Sequence, residues 1–217
     1  MCFSATASFT VAASTAVIGI ALLKLVRYPK EIFVAIVPLL FALQQAVEGV
    51  LWLQLSQGTD KGNVSHMALV FLLFAQVLWP AYTAIAVVLV EPAYRRRLVL
   101  FAIAIAGLML SIHLAVELFG NTQVATIHGH SIAYGTRVNP MSWQQLPYVI
   151  CTGVPPLISS HRPIRIFGIV ILVGFFVSAY FFVATFVSVW CFFAAAGSVL
   201  LYLCFKRDAL RVGYCHP

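Results

Sequence analysis

Carboxylate, imidazole and thiol side chains stand inside stretches of this chain that are otherwise apolar enough to cross a bilayer. The first is Glu48, within Phe33 to Leu55 (FVAIVPLLFALQQAVEGVLWLQL), with Gln44 and Gln45 one turn before it and Trp52 one turn after it. An ionisable side chain is costly in a membrane span, so its presence marks a candidate functional position. His113 and Glu117 follow in a later span, and their i, i+4 spacing puts them on one helix face. Cys191 lies near the start of the last span, and Cys2 and His66 lie at helix ends. These are the ligand types of zinc or another transition metal. Glu48, His113, Cys191 and Cys2 form the candidate metal set, and a metal held there would activate a water. Glu117, as general base, and Glu48 are the candidate catalytic carboxylates.

Each group also has a purely structural reading. Glu48 can satisfy itself on a neighbouring helix or a glutamine, and His113 can pair with Glu117. Cys191 can serve as a small buried hydrophobe. A Cys2–Cys191 disulfide is the alternative to shared metal ligation, if both thiols face an oxidising compartment.

Composition sets the class. Of 217 residues, 62% are hydrophobic and 9% charged, and the mean hydropathy is +1.00. A soluble domain carries about 25% charged residues. The whole chain, residues 1–217, is therefore read as one all-α, polytopic membrane helix bundle. The formal charge of +7 would suggest nucleic acid on a soluble protein. Here the basic residues sit in short loops between apolar spans, which points to topology and anionic headgroups instead. The five cysteines form no CxxC pair, so neither a zinc ribbon nor a thioredoxin-type site is indicated. Met1 to Phe9 lacks the basic start of a cleavable signal, so the first span is expected to be retained.

At about 20 residues per span, seven transmembrane helices are expected, at about residues 8–25, 33–55, 65–90, 98–119, 143–160, 164–183 and 187–205. Trp79-Pro80 marks a kink in the third. The fifth is short, and CTGVPP, ending in Pro155-Pro156, is expected to interrupt it. Broken backbone at that depth is tolerated where it lines a cavity. Gly120 to Ser142 is the longest loop and holds His128 and His130.

The basic residues fix an orientation. Lys24, Arg27, Lys30, Arg95, Arg96, Arg97, Arg162, Arg165, Lys206, Arg207 and Arg211 all fall on one side, leaving only Lys61 and Arg137 of the 13 on the other. The positive-inside rule then puts the N-terminus outside and the C-terminus in the cytoplasm. At 1.5 Å per residue, Glu48 and His113 each stand about 22 Å up from the cytoplasmic ends of their spans, and Cys191 about 6 Å below the outer end. One outer-leaflet layer would hold all three. The same depths put Trp52, Trp143 and Trp190 in the interfacial aromatic belt. Gln44 to Glu48 also resembles His113 to Glu117, as a parallel repeat would. An inner cluster of His161, Cys204, Cys215 and His216 is read as an ordinary tail, with metal binding or palmitoylation as alternatives.

MCFSATASF at the start, PLLFALQQAVEGVLW in span two, WP in span three and SVWCFFAAAGS in span seven carry a resemblance to a family of small bacterial multi-pass membrane proteins classed as a domain of unknown function. The resemblance covers nearly the whole chain. It implies the architecture and a place in the bacterial inner membrane. It points to Cys2, Ser4, Gln45, Glu48, Trp52, Trp190 and Cys191 as hallmark positions, and supplies no activity. The layout is also loosely similar to the seven-span hydrolases that include alkaline ceramidases and progestin/adiponectin-type receptors. Those carry Ser-x3-His and His-x3-His, where this chain has Gln44-x3-Glu48 and a lone Cys191.

The leading functional expectation is a metal-dependent hydrolase of a lipid-like amide or ester. Others stay open. Glu48 and Glu117 would serve a proton- or cation-coupled transporter or binding protein. His66 and His113 would ligate a b-type haem. The chain would also suit an accessory subunit of a membrane complex. Membrane lipid is the expected partner, nucleic acid is not, and a partner protein or second copy is left open.

Overall fold

A backbone in lipid has no water to bond with, so a chain this apolar must satisfy its N–H and C=O groups within helices. The structure, a computed structural model, describes residues 4–135 and 145–206, the Cys204 side chain excepted. Cys2, Arg137, Trp143, Cys215 and His216 lie outside that range.

Helix α1 (Ala5–Leu23) starts on Ser4, whose hydroxyl accepts the Ala7 N–H at 3.2 Å. A 3-10 turn (Pro29–Glu31), the single turn α2 (Ile32–Ala35) and α3 (Val37–Ser56) form the second run. In the third, α4 (Lys61–Leu72) passes through a π-helical stretch (Leu73–Leu78) into α5 (Trp79–Val90). The wide turn stands just before Pro80, which has no N–H for the ladder. Helix α6 (Tyr94–Gly120) is the longest at 27 residues. After α7 (Leu146–Ile158) and α8 (Arg162–Phe181), a 3-10 turn (Val183–Thr185) leads into α9 (Phe186–Gly197) and α10 (Val199–Lys206).

Among the described residues, six runs are each long and apolar enough to cross a membrane: Ala5–Leu23, Pro29–Ser56, Lys61–Val90, Tyr94–Gly120, Arg162–Phe181 and Val183–Leu203. Large apolar side chains such as Val17, Leu98, Met109, Val116 and Phe119 are exposed on the outside of the bundle, as a lipid-facing surface requires. The protein is a multi-pass integral membrane helix bundle.

Three local expectations are corrected. CTGVPP does not break its helix: α7 continues through Pro155 and Pro156 to Ile158. Both prolines stand in its last turns, so only the carbonyls four residues back, on Cys151 and Thr152, lose their amide partners. The last span is instead the divided one, turning at Ser198, whose hydroxyl donates to the Ala195 carbonyl at 2.6 Å. The 120–142 segment, expected as a loop alone, also carries secondary structure. It holds an antiparallel hairpin, β1 (Ala125–His128) with β2 (Ser131–Tyr134), closed by Gly129 at φ 60°. Positive φ is strained for a side-chain-bearing residue, which is why glycine stands there.

At the opposite, basic end of the bundle, two further carboxylates tie turns together. Glu91 accepts the Ser160 N–H at 2.7 Å, the Ser160 hydroxyl and the Ala93 N–H. Glu31 accepts the Arg27 and Tyr28 N–H groups at 2.9 and 3.3 Å. His161 is buried beside this knot, with Nε2 2.9 Å from the Val90 carbonyl oxygen. A carbonyl only accepts, so Nε2 carries the proton.

Candidate functional site

Helix α3 turns Phe41, Gln44, Gln45, Glu48 and Trp52 toward the bundle axis, the recurrence of one helix face. Gln44, Gln45 and Glu48 are wholly buried. Buried polar groups must be hydrogen-bonded. Gln45 Nε2 donates to Glu48 Oε2 at 3.2 Å. Gln44 Oε1 accepts the Trp79 indole N–H at 2.9 Å, tying α3 to α5, and the Trp79 ring stacks on Phe41 at 4.2 Å.

From α9, Cys191 comes within hydrogen-bonding reach of the Gln44 side chain and within electrostatic range of Glu48. Tyr148 on α7 lines the same cleft as Cys191, within electrostatic range of it, and donates its hydroxyl to the Ala75 carbonyl in the π-helical stretch. In π register that carbonyl faces residue 80, and Pro80 has no N–H to give it. The kink that Pro80 requires thus becomes a docking point for a third helix. Above Glu48, the Trp52 indole N–H is buried with no acceptor among the described residues.

Below this polar layer lies an apolar cleft. Trp79, Tyr148, Trp190 and Cys191 form its head, and Val34, Val87, Ile164 and Leu201 line it toward the basic end. It is a slot of about 670 Å³, a volume that includes space open to the outside. From Trp79 to Val87 along α5 it runs about 12 Å. Thr83 and Thr152 also line it, but their hydroxyls donate to carbonyls of their own helices, each at 2.8 Å. The wall is left without free polar groups at those points.

Of the expected site residues, the structure brings Glu48 and Cys191 together. Cys2 lies outside the described residues. His113 and Glu117 do not join Glu48. They face out of α6, with side chains 67% and 61% exposed and His113 Nε2 3.6 Å from Glu117 Oε1. The inward stripe of α6 is Leu100, Ala104, Gly107, Ser111 and Leu118, and position 113 falls about 200° round from 111. His66 is exposed on α4, beside a shallow hollow shared with Ser65, Leu69, Leu118 and Gln123; His113 does not line it. Among the described residues, no group of three or more His, Cys, Asp or Glu side chains is placed to hold a metal ion.

Trp52 and Trp190 were expected in the interfacial belt. Both are buried instead, and Trp190 donates to the Ile171 carbonyl at 3.0 Å while packing on Phe186, Phe175 and Tyr148. Sequence reasoning missed Trp79 and Tyr148 as members of the site. The available signal was a donor-bearing aromatic tip in a span with nowhere polar to go.

The chain matches the family described as "Family of unknown function (DUF6629)" over residues 1–213, and it belongs to that family. No curated protein and no solved structure matches it.

Proposed function

We propose that this member of the DUF6629 family binds a lipid-like molecule inside its helix bundle. The apolar tail lies in the cleft, and an uncharged hydrogen-bonding head, such as an amide or ester, meets the Gln44–Glu48–Cys191 layer. The observation that carries this reading is the joining of two features at one residue. Cys191 lines the head of the apolar cleft and also faces the Gln44 and Glu48 side chains. A mostly apolar recess with a few convergent polar groups is the usual form of a small-molecule site.

Of the expected metal donors, Glu48 and Cys191 interact and Cys2 lies outside the described residues; the binding reading rests on the cleft and requires no metal. Glu117, the expected base, faces away.

The test is co-purification. Lipid extracts of the purified full-length protein should contain one lipid-like species in about one-to-one ratio to protein, far above its share of the surrounding membrane. Ala194 is buried and lines the cleft; Ala194→Phe should fill the slot and remove that species while the protein stays folded. Equal recovery from a folded Ala194→Phe protein would place the molecule elsewhere.

The same reading takes the chain as seven crossings with the N-terminus outside. Helix α6 climbs away from the basic end and α8 leaves that end again, so α7 serves as the return crossing. Its 13 residues reach about 20 Å, which is short for a ~30 Å core. Thiol-labelling of single cysteines introduced at Gly58 and Tyr94 should read outside and cytoplasmic, respectively. The reverse pattern, or the same side for both, would overturn this topology.

A further inference from the structure

Three arginines converge at the basic end, in a recess separate from the cleft. Arg95, Arg96 and Arg165 surround it, and Val99, Leu157 and Ile158 form its apolar wall. It lies between α6 and the corner joining α7 to α8, and encloses about 680 Å³ of atom-free space open to the outside. Arg96 is held in place. Its guanidinium donates to the Ile158 carbonyl at 3.4 Å and to the Ser160 hydroxyl at 3.3 Å, and Ser160 is fixed in turn by Glu91.

Those acceptors on Arg96 are neutral. Among the described residues none of the three arginines is paired with a carboxylate. Three like charges around one hollow repel each other unless an anion joins them. Guanidinium forks match a phosphoryl group in shape and charge, binding it through two parallel N–H donors. The surroundings then separate a lipid from a free ion. Leu98, Val99, Phe101 and Ile105, on the first turns of α6 above the recess, are all exposed. A molecule held by its headgroup at the arginines would lay its tails along that apolar face.

We propose that this recess binds a phosphoryl anion presented by a membrane lipid, with the acyl chains running along the outer face of α6. A basic pocket between transmembrane helices is a known form of headgroup site.

The experiment is native mass spectrometry of the full chain in detergent, titrated with phosphatidylglycerol, with phosphatidylcholine of the same chains, and with inorganic phosphate. Wild type should retain phosphatidylglycerol at least about tenfold better than phosphatidylcholine. Inorganic phosphate at equal concentration should not displace it. Arg95→Gln/Arg165→Gln leaves the Arg96 hydrogen bonds intact, so it should remain folded and lose most of that preference. Lys24→Gln/Arg27→Gln/Lys30→Gln removes more charge from the same end, outside the recess, and should keep it. Three results would overturn the proposal: no preference in wild type, equal loss in both variants, or displacement by free phosphate as effective as by lipid.

Discussion

Gly107→Val should yield no folded, monodisperse protein, and Gly107→Ala should unfold with a loss of about 3 kcal/mol. A Cβ built at Gly107 meets the Pro80 carbonyl oxygen at 2.2 Å and its carbon at 2.9 Å. Both are backbone atoms of α5, so no side chain can turn aside; the helices themselves must separate. Close approach of helix backbones through small residues is the main source of helix–helix affinity in lipid, where burial supplies no hydrophobic gain. The loss should reach the site, because α5 carries Trp79, the partner of Gln44. Gly120→Ala is the control. A Cβ there has nothing within 4 Å, and its unfolding should shift by no more than about 0.5 kcal/mol. Thermal unfolding of the three proteins in one detergent checks this. Equal stability of Gly107→Ala and Gly120→Ala would show that the α5–α6 contact is looser than the structure has it.

Glu48→Leu should keep the fold and lose the bound molecule. Leucine fills the same space but leaves the buried Gln45 Nε2 without the Glu48 oxygen it donates to, so the protein should fold with a loss of about 1–3 kcal/mol. Binding is another matter. A hydrogen bond to a charged or acidic group is worth about 1.5–3 kcal/mol, so retention of the co-purifying species should weaken by about 10- to 100-fold. Glu48→Gln keeps an acceptor for Gln45 and should show a smaller loss. A folded Glu48→Leu protein that holds its ligand as tightly as wild type would remove Glu48 from the site.

The spans were legible in the sequence because membrane crossing depends on length and hydropathy, both of which are local. The expected 33–55 and 98–119 became Pro29–Ser56 and Tyr94–Gly120, longer at their ends because polar residues such as Arg95 extend a helix past its apolar part. Glu48 and Cys191, placed at one level by counting residues, come within electrostatic range of each other. The direction around each helix was not legible. His113 and Glu117 match Gln44 and Glu48 in spacing, yet one pair faces out and the other in. Only the partner surface decides that, and here it is Gly107 against Pro80 that turns α6. Trp52 and Trp190 show the same limit: near a span end by count, they are carried inward by their faces. The Trp79–Gln44 and Tyr148–Ala75 bonds join residues far apart in sequence, and no local pattern announces such pairs.

One map would decide whether the buried acid layer and the slot beneath it form a ligand site. An experimental density map of the wild-type protein in lipid nanodiscs should show a continuous non-protein feature. It should begin within hydrogen-bonding distance of the Glu48–Gln44 layer, pass Cys191 and Trp79, and extend toward Leu201 and Ile164. A map of equal quality in which side chains close the slot and Glu48 contacts only protein would contradict the account.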